Sequence, residues 1–156
     1  MFHALALRVF GRLPRFVRTR IVRTLYPTFT AGVGVCMVRP DGRICLVRHS
    51  YSRGWGIPGG MLDGDEAPAQ TAMREMGEEL TVEIGVEGHA LAIRTPGRKH
   101  FNFLFRVAVD DALADTATPN SPEIVAADWF RPEELPELAE FTDLFLAELG
   151  LVDPHR

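Results

Sequence analysis

GWGIPGGMLDGDEAPAQTAMREMGEELTV, residues Gly54–Val82, opens on turn chemistry and closes on a helix rich in carboxylates. Glycine and proline at 56–60 break regular structure, and the glycines let backbone approach a ligand closely. From about Glu66 the pattern is helical. With Glu75 set at zero, Glu79 lies roughly 40° to one side and Glu78 roughly 60° to the other, so the three carboxylates share a stripe. Ala69, Ala72, Met73, Met76 and Leu80 fall on the adjoining stripe, the expected core face. Arg74 stands one turn before Glu78, within reach of it.

Like charges at these spacings each cost a helix a few tenths of a kcal/mol. A divalent cation removes that repulsion. Hard cations such as Mg²⁺ take a few carboxylate oxygens and leave other positions to water and substrate phosphate. A solvated acidic face is the competing reading of the glutamates alone.

The full spacing shifts the balance toward the metal site. Gly60, five residues, Glu66, seven residues, then Arg74-Glu75-Met76-Gly77-Glu78-Glu79-Leu80-Thr81-Val82 resembles the Nudix box. One position departs: Thr81 stands where the family has a glycine. Glycine suits a helix end because it tolerates positive φ, whereas a β-branched threonine resists it. The exit from this helix is therefore expected to differ, with the glutamates undisturbed.

The resemblance covers about Thr30 to Leu149. It implies an α/β (α+β) fold: an α/β/α sandwich with a mixed sheet and a loop-helix-loop catalytic motif. It also implies a pyrophosphohydrolase acting on a nucleoside diphosphate linked to another group, with Mg²⁺ or Mn²⁺. Glu75, Glu78 and Glu79 would hold the metal, joined by a backbone carbonyl at Gly59 or Gly60. Arg74 would orient the glutamates, and Glu66 would help organise the site besides suiting a helix start. Glu123, six residues before Trp129, occupies a place where many members carry an acid that binds a second metal or acts as base. Glu78 and Glu123 both stand as candidate bases. The alternative is a non-catalytic module that senses nucleotides or binds proteins through the same fold.

The substrate is less legible. Arg48 is a candidate phosphate contact. Trp55, Phe101 and Phe103 are candidates for stacking on a base, with core packing as the plainer role. His49 reads as structural or exposed. A proline about fifteen residues after the box accompanies ADP-ribose hydrolysis in the family, and Pro96 lies fourteen after Val82. Nucleoside triphosphates, dinucleoside polyphosphates and nucleotide sugars all stay open.

The rest of the chain reads as strands and short helices. Thr30–Val38 and Ile44–His49 are apolar runs flanking Pro40-Asp41-Gly42, the pattern of an antiparallel hairpin. Trp55–Ile57, Val82–Gly85, His89–Arg94, Phe101–Val109 and Ile124–Phe130 are strand candidates. Asp110–Pro122 reads as a polar loop. A short helix is expected from Pro132–Leu135, and an amphipathic one over Ala139–Leu149, closed by Gly150. Cys36 and Cys45 sit in apolar strands and read as reduced core residues.

Composition is that of one soluble domain: 156 residues, 46% hydrophobic and 24% charged. The net charge of −4 is unevenly spread. Residues 1–25 hold six arginines and no acid, and the remainder carries 11 basic and 21 acidic residues. An acidic catalytic domain speaks against duplex nucleic acid as a partner. Phe2, Leu5, Val9, Leu13 and Phe16 recur at helical spacing in the basic segment, and Pro14 should break it into two helices. The organisation expected is a basic amphipathic extension at 1–27, the hydrolase domain at 28–150 and a tail at 151–156. The extension is too interrupted by arginine to span a membrane. Packing on its own domain, homodimerisation, contact with an anionic membrane and an organellar transit peptide are the open readings, with a cytoplasmic location expected.

Overall fold

The computed structural model describes residues 8–153. Phe2 and Leu5 of the extension and residues 154–156 of the tail lie outside the described residues. In chain order the elements are α1 (Arg15–Leu25), β1 (Thr30–Val38), β2 (Ile44–His49), β3 (Gly59–Met61), α2 (Pro68–Leu80), β4 (Leu91–Arg94), β5 (His100–Ala108), α3 (Asp111–Ala114), β6 (Ile124–Phe130) and α4 (Thr142–Glu148). Residues 8–12 are also helical, and the chain breaks at 13–14 before α1, as Pro14 requires.

β1 is buried without interruption from Gly32 to Met37, as a strand covered on both faces must be. It pairs in parallel with β5 along its whole length, and β4 adds antiparallel outside β5. Its other edge is shared. β3 takes Gly32–Gly34, and β2 joins only at Val38↔Ile44 before turning away to pair with β6. The result is a mixed sheet in the order β4-β5-β1-β2-β6, with β3 on β1.

Period-two alternation splits the core between the two faces. Val33, Val35, Met37, Cys45 and Val47 point to one side and pack with Ala72, Met76 and Leu80 of α2. Cys36, Ile44 and Leu46 point to the other and meet Leu146 of α4, with Trp55, Ile57 and Phe130 around them. This is the expected α/β/α sandwich. Met76 and Leu80 are fully buried, and burial of each is worth about 1.5–3 kcal/mol. Both cysteines are free and buried. Burial, then the charge of Asp128, pushes the Cys45 thiol up to about 12, and burial likewise raises Cys36.

Several local expectations are corrected. α2 begins at Pro68, not Glu66; the Gln70 side chain accepts from the Ala67 N–H at 2.8 Å, and Glu66 is freed to face Arg74. Met73 is 40% exposed, at the rim of the core stripe. Trp55 and Gly56 make only isolated bridges, to Leu138 and Val47, and the strand of this region is β3. Val82–Gly85 alternates buried Val82 and Ile84 with exposed neighbours but has no ladder partner; the His89–Arg94 strand is confined to Leu91–Arg94. The polar loop after β5 contains α3, capped by Asp110, whose carboxylate accepts from the Leu113 N–H at 2.7 Å. Pro132–Leu135 forms a turn rather than a helix.

The Thr81 exit is also corrected. The residue does adopt the left-handed conformation, at φ 58°, which glycine would take without strain. The Val82 N–H closes back on the Met76 carbonyl at 3.2 Å, and the Thr81 hydroxyl meets the Thr118 hydroxyl at 3.0 Å. The surrounding bonds therefore hold a side chain that locally disfavours this conformation.

Candidate active site

Two box glutamates seat on the Gly59-Gly60 segment that β3 delivers. The Glu79 Oε2 accepts from the Gly59 N–H at 2.9 Å. A Cβ built on Gly60 would stand 2.2 Å from the Glu75 Oε1, so only glycine leaves that carboxylate its place. Gly59 itself has φ 146° and lies against the Val33 carbonyl, where a side chain has no room. β3, held on the edge of β1, thus meets both carboxylates that α2 presents.

Arg74 braces the group. Its Nη1 donates to Glu75 at 2.9 Å and to Glu78 at 3.1 Å. Its Nε lies 3.1 Å from Glu66, whose other oxygen accepts from the Thr71 hydroxyl at 2.8 Å. Hydrogen bonds from Arg74 and Thr71 hold the Glu66 carboxyl below the usual range. One guanidinium ties the three carboxylates of Glu66, Glu75 and Glu78 together.

The three box glutamates differ in environment. Glu79 is buried, Glu75 largely so, and the Glu78 side chain is 61% exposed. Burial pushes Glu79 up to about 7; the Gly59 N–H opposes this, while the charges of Glu75, Glu123 and Glu78 add to it. Glu123 lies beyond the box, where its carbonyl accepts from the Ser50 N–H at 2.7 Å. Its charge is felt at Glu79, His49 and Tyr51, which places it on the same side of the molecule as the box.

Two further side chains stand beside the acids: His49, read from the sequence as structural or exposed, and Tyr51, which the sequence did not single out. The His49 Nε2 is 3.6 Å from the Glu79 Oε1, and its ring packs on Tyr51 at 5.2 Å. Burial lowers the His49 pKa, opposed by Glu123. Burial raises the Tyr51 hydroxyl, followed by Glu123, Glu79 and Glu75, although the residue is 72% exposed. Neither belongs to the box spacing. The only available signal was their position at the end of β2, beside the turn that returns to the box.

Arg48 stacks over Trp55 at 5.9 Å, and Trp55 meets Phe130 edge-on at 4.8 Å. Arg48, His49, Ser50, Ser52 and Arg53 line a shallow cleft with Val125 and Glu137. Phe101 goes elsewhere. Its ring packs on Phe29 at 5.2 Å, where the N-terminal segment enters the sheet. Phe103 packs against the α2-side core.

Among the described residues, no three acidic, histidine or cysteine side chains are already closed around one point as a metal-ligand set. The donors nonetheless fit a hard divalent cation. All are oxygens, one is a carboxylate buried among other carboxylates, and the cradle at Gly60 keeps Glu75 beside it.

The sequence model of the NUDIX domain matches residues 28–149. A MutT-like protein from Streptomyces ambofaciens is 29% identical over 131 residues, covering 83% of this chain and 82% of the relative. An RNA pyrophosphohydrolase from Erythrobacter litoralis is 28% identical over 127 residues, covering 67% of this chain and 77% of the relative. The fold matches the crystal structure of a MutT NUDIX hydrolase from Burkholderia pseudomallei with a TM-score of 0.63 at 24% identity, covering 77% of this chain and 97% of that one. The box spacing, the seating of its glutamates on Gly59-Gly60 and these matches lead to one assignment: the chain belongs to the Nudix hydrolase family and is an enzyme of the pyrophosphohydrolase type.

Proposed function

We propose that this enzyme hydrolyses the diphosphate linkage of a nucleoside diphosphate joined to another group, with Mg²⁺ or Mn²⁺ bound. Glu75, Glu78 and Glu79 would hold the metal, together with the Gly59 carbonyl. The observation that carries this reading is the seating of Glu75 and Glu79 against Gly59-Gly60, which brings two carboxylates beside the backbone oxygens of one short segment. The bound metal supplies charge neutralisation on the phosphate oxygens.

The chain's own groups supply the rest. Water attacks phosphorus in line, the bridging P–O bond breaks, and the leaving phosphate takes the bonding pair. We assign the proton of that water to Glu123 rather than Glu78. The Glu78 Oε2 already accepts from Arg74 at 3.1 Å, whereas the charge of Glu123 acts on His49, Tyr51 and Glu79 around the site. Arg48 and Arg53, with Ser50 and Ser52, would meet the distal phosphates in the adjoining cleft. Trp55 backs Arg48, and the exposed ring of Tyr51 would cover a base.

The test is phosphate or nucleotide release from a panel of nucleoside triphosphates, dinucleoside polyphosphates, nucleotide sugars and 5′-triphosphorylated RNA, with and without each metal. Glu123→Gln should lower kcat about 10²–10⁴-fold, the range for loss of a general base. Metal-independent turnover, or full turnover in Glu75→Gln/Glu79→Gln, would remove the proposed site. The RNA pyrophosphohydrolase similarity makes the RNA arm of the panel worth running first.

A further inference from the structure

Residues 8–29 stand outside the sandwich. None of the residues of α1 is buried, and no sheet element or other helix packs extensively against it. Val17, Ile21 and Leu25 recur along one side at i, i+4 and i+8, flanked by Val22. Phe16, Arg20 and Thr24 line the same groove as Val17, Ile21 and Leu25, while Arg15 and Arg23 lie outside it. Phe16 is 74% exposed, Leu25 72% and Tyr26 66%. Val17 and Ile21 are half-buried and the rest of the face is exposed, so among the described residues its cover is incomplete.

Charge selects the occupant. The described arm carries Arg8, Arg12, Arg15, Arg18, Arg20 and Arg23 with no acid among them. The basic character continues at the point of attachment: Arg94 lies over the Phe29 ring at 5.8 Å, and Lys99 is exposed in the turn whose carbonyl receives the Thr30 N–H. A nucleic acid would answer the arginines but has no use for Val17, Ile21 and Leu25. A second copy of the chain would answer the apolar face, but the arm's own charge repels its counterpart across a symmetric contact. A lipid surface with anionic headgroups answers both at once, because an interfacial helix buries its apolar side in the acyl boundary while arginines meet the headgroups. Phe16, Tyr26 and Phe29 are exposed aromatic side chains of the kind that suits the headgroup level.

We propose that the arm docks this enzyme on anionic membrane surfaces, lying in the interface plane rather than crossing it. No helix among the described residues is long and apolar enough to span. Phe29, packed on Phe101, ties the docked arm to the sheet.

The experiment is co-sedimentation of the full chain with vesicles of phosphatidylcholine alone and of phosphatidylcholine mixed with phosphatidylglycerol. Binding to the mixed vesicles only, falling steeply as salt rises from about 0.1 M to 1 M, is the expected result. Each arginine removed should cost about fivefold in partitioning, so Arg15→Gln/Arg20→Gln/Arg23→Gln should bind about 100-fold more weakly. Phe16→Ser/Leu25→Ser should also lose binding with every charge retained. Turnover of a soluble substrate should be unchanged in both variants, which separates this proposal from the catalytic assignment. Three results overturn it: no binding to the mixed vesicles, binding that ignores the apolar substitutions, or a self-associated chain that the same substitutions make monomeric.

Discussion

The carboxylate of Glu75 occupies the space that a side chain on Gly60 would need, with the Oε1 only 2.2 Å from the position of that absent Cβ. A catalytic motif is usually described by the residues that act. Here one of its fixed positions acts by having no side chain.

Gly60→Ala is expected to leave the fold intact, because the clash is with the far end of a flexible side chain. Glu75 must swing away, and a displacement on the order of 1 Å in a catalytic site can cost 10²-fold in rate. Kinetics and circular dichroism on the same preparation check this. Full activity would show that the Glu75 seat is immaterial.

Glu79 makes stability depend on pH in the metal-free protein. Its folded-state pKa is raised, chiefly by burial, to about 7. The folded state therefore holds the proton more tightly than the unfolded one, and stability falls as pH rises from about 4.5 through about 7. Glu79→Gln removes that loss and retains an oxygen for the Gly59 N–H. The variant should melt like wild type near pH 4.5 and exceed it above pH 7 by a margin on the order of 2–3 kcal/mol. Parallel melting curves across the range would show that Glu79 does not carry the buried charge.

Mg²⁺ in excess should raise the melting temperature, because a ligand of the folded state alone stabilises it by about 2.7 kcal/mol at a hundred times its Kd. For a chain of this size that is a shift of about 5–10 °C. The shift should vanish in Glu75→Gln/Glu79→Gln and be reversed by a chelator. A metal-induced shift of equal size in that double variant would place the ion elsewhere.

Thr81 sets two effects against each other. Its left-handed backbone costs about 1–2 kcal/mol relative to glycine, and its hydroxyl bonds return part of that. Thr81→Val keeps the strain and loses the bonds, so it should destabilise by about 1 kcal/mol. Thr81→Gly relieves the strain and should be the more stable of the two by about 2 kcal/mol. Denaturant unfolding ranks the three chains. A valine variant as stable as the glycine variant would remove strain from the account.

The fold was legible where pattern and period agree. The apolar run of β1, the Pro40-Asp41-Gly42 turn and the stripe of Ala72, Met76 and Leu80 specify a central strand, a tight turn and a packed helix. Glu75, Glu79 and Arg74 were legible through fixed spacing, because both their chemistry and their placement lie within one helix. Elements that depend on a distant partner were not. Val82–Gly85 has the alternation of a strand but no neighbour to pair with, and Gly59–Met61 becomes a strand only because β1 leaves an edge open there. Thr81 shows the same limit in reverse. Local preference speaks against its conformation, and bonds to the distant Thr118 prevail. Tyr51 faces the acids through tertiary placement alone, which no local pattern encodes.

The single pairing of Val38 with Ile44 gives the sheet a seam. On one side stand β4, β5, β1 and β3; on the other, β2 and β6. Gly59 and Gly60 belong to the first side, while His49 belongs to the second and Glu123 directly precedes β6. A rocking of one block against the other, about the Val38–Ile44 pairing and the Val47–Gly56 bridge, would change the spacing between those groups while each block kept its own ladder. Any ligand gripped from both blocks therefore works as a clasp across the joint, and the tightness of that grip registers as stiffness of the whole sheet.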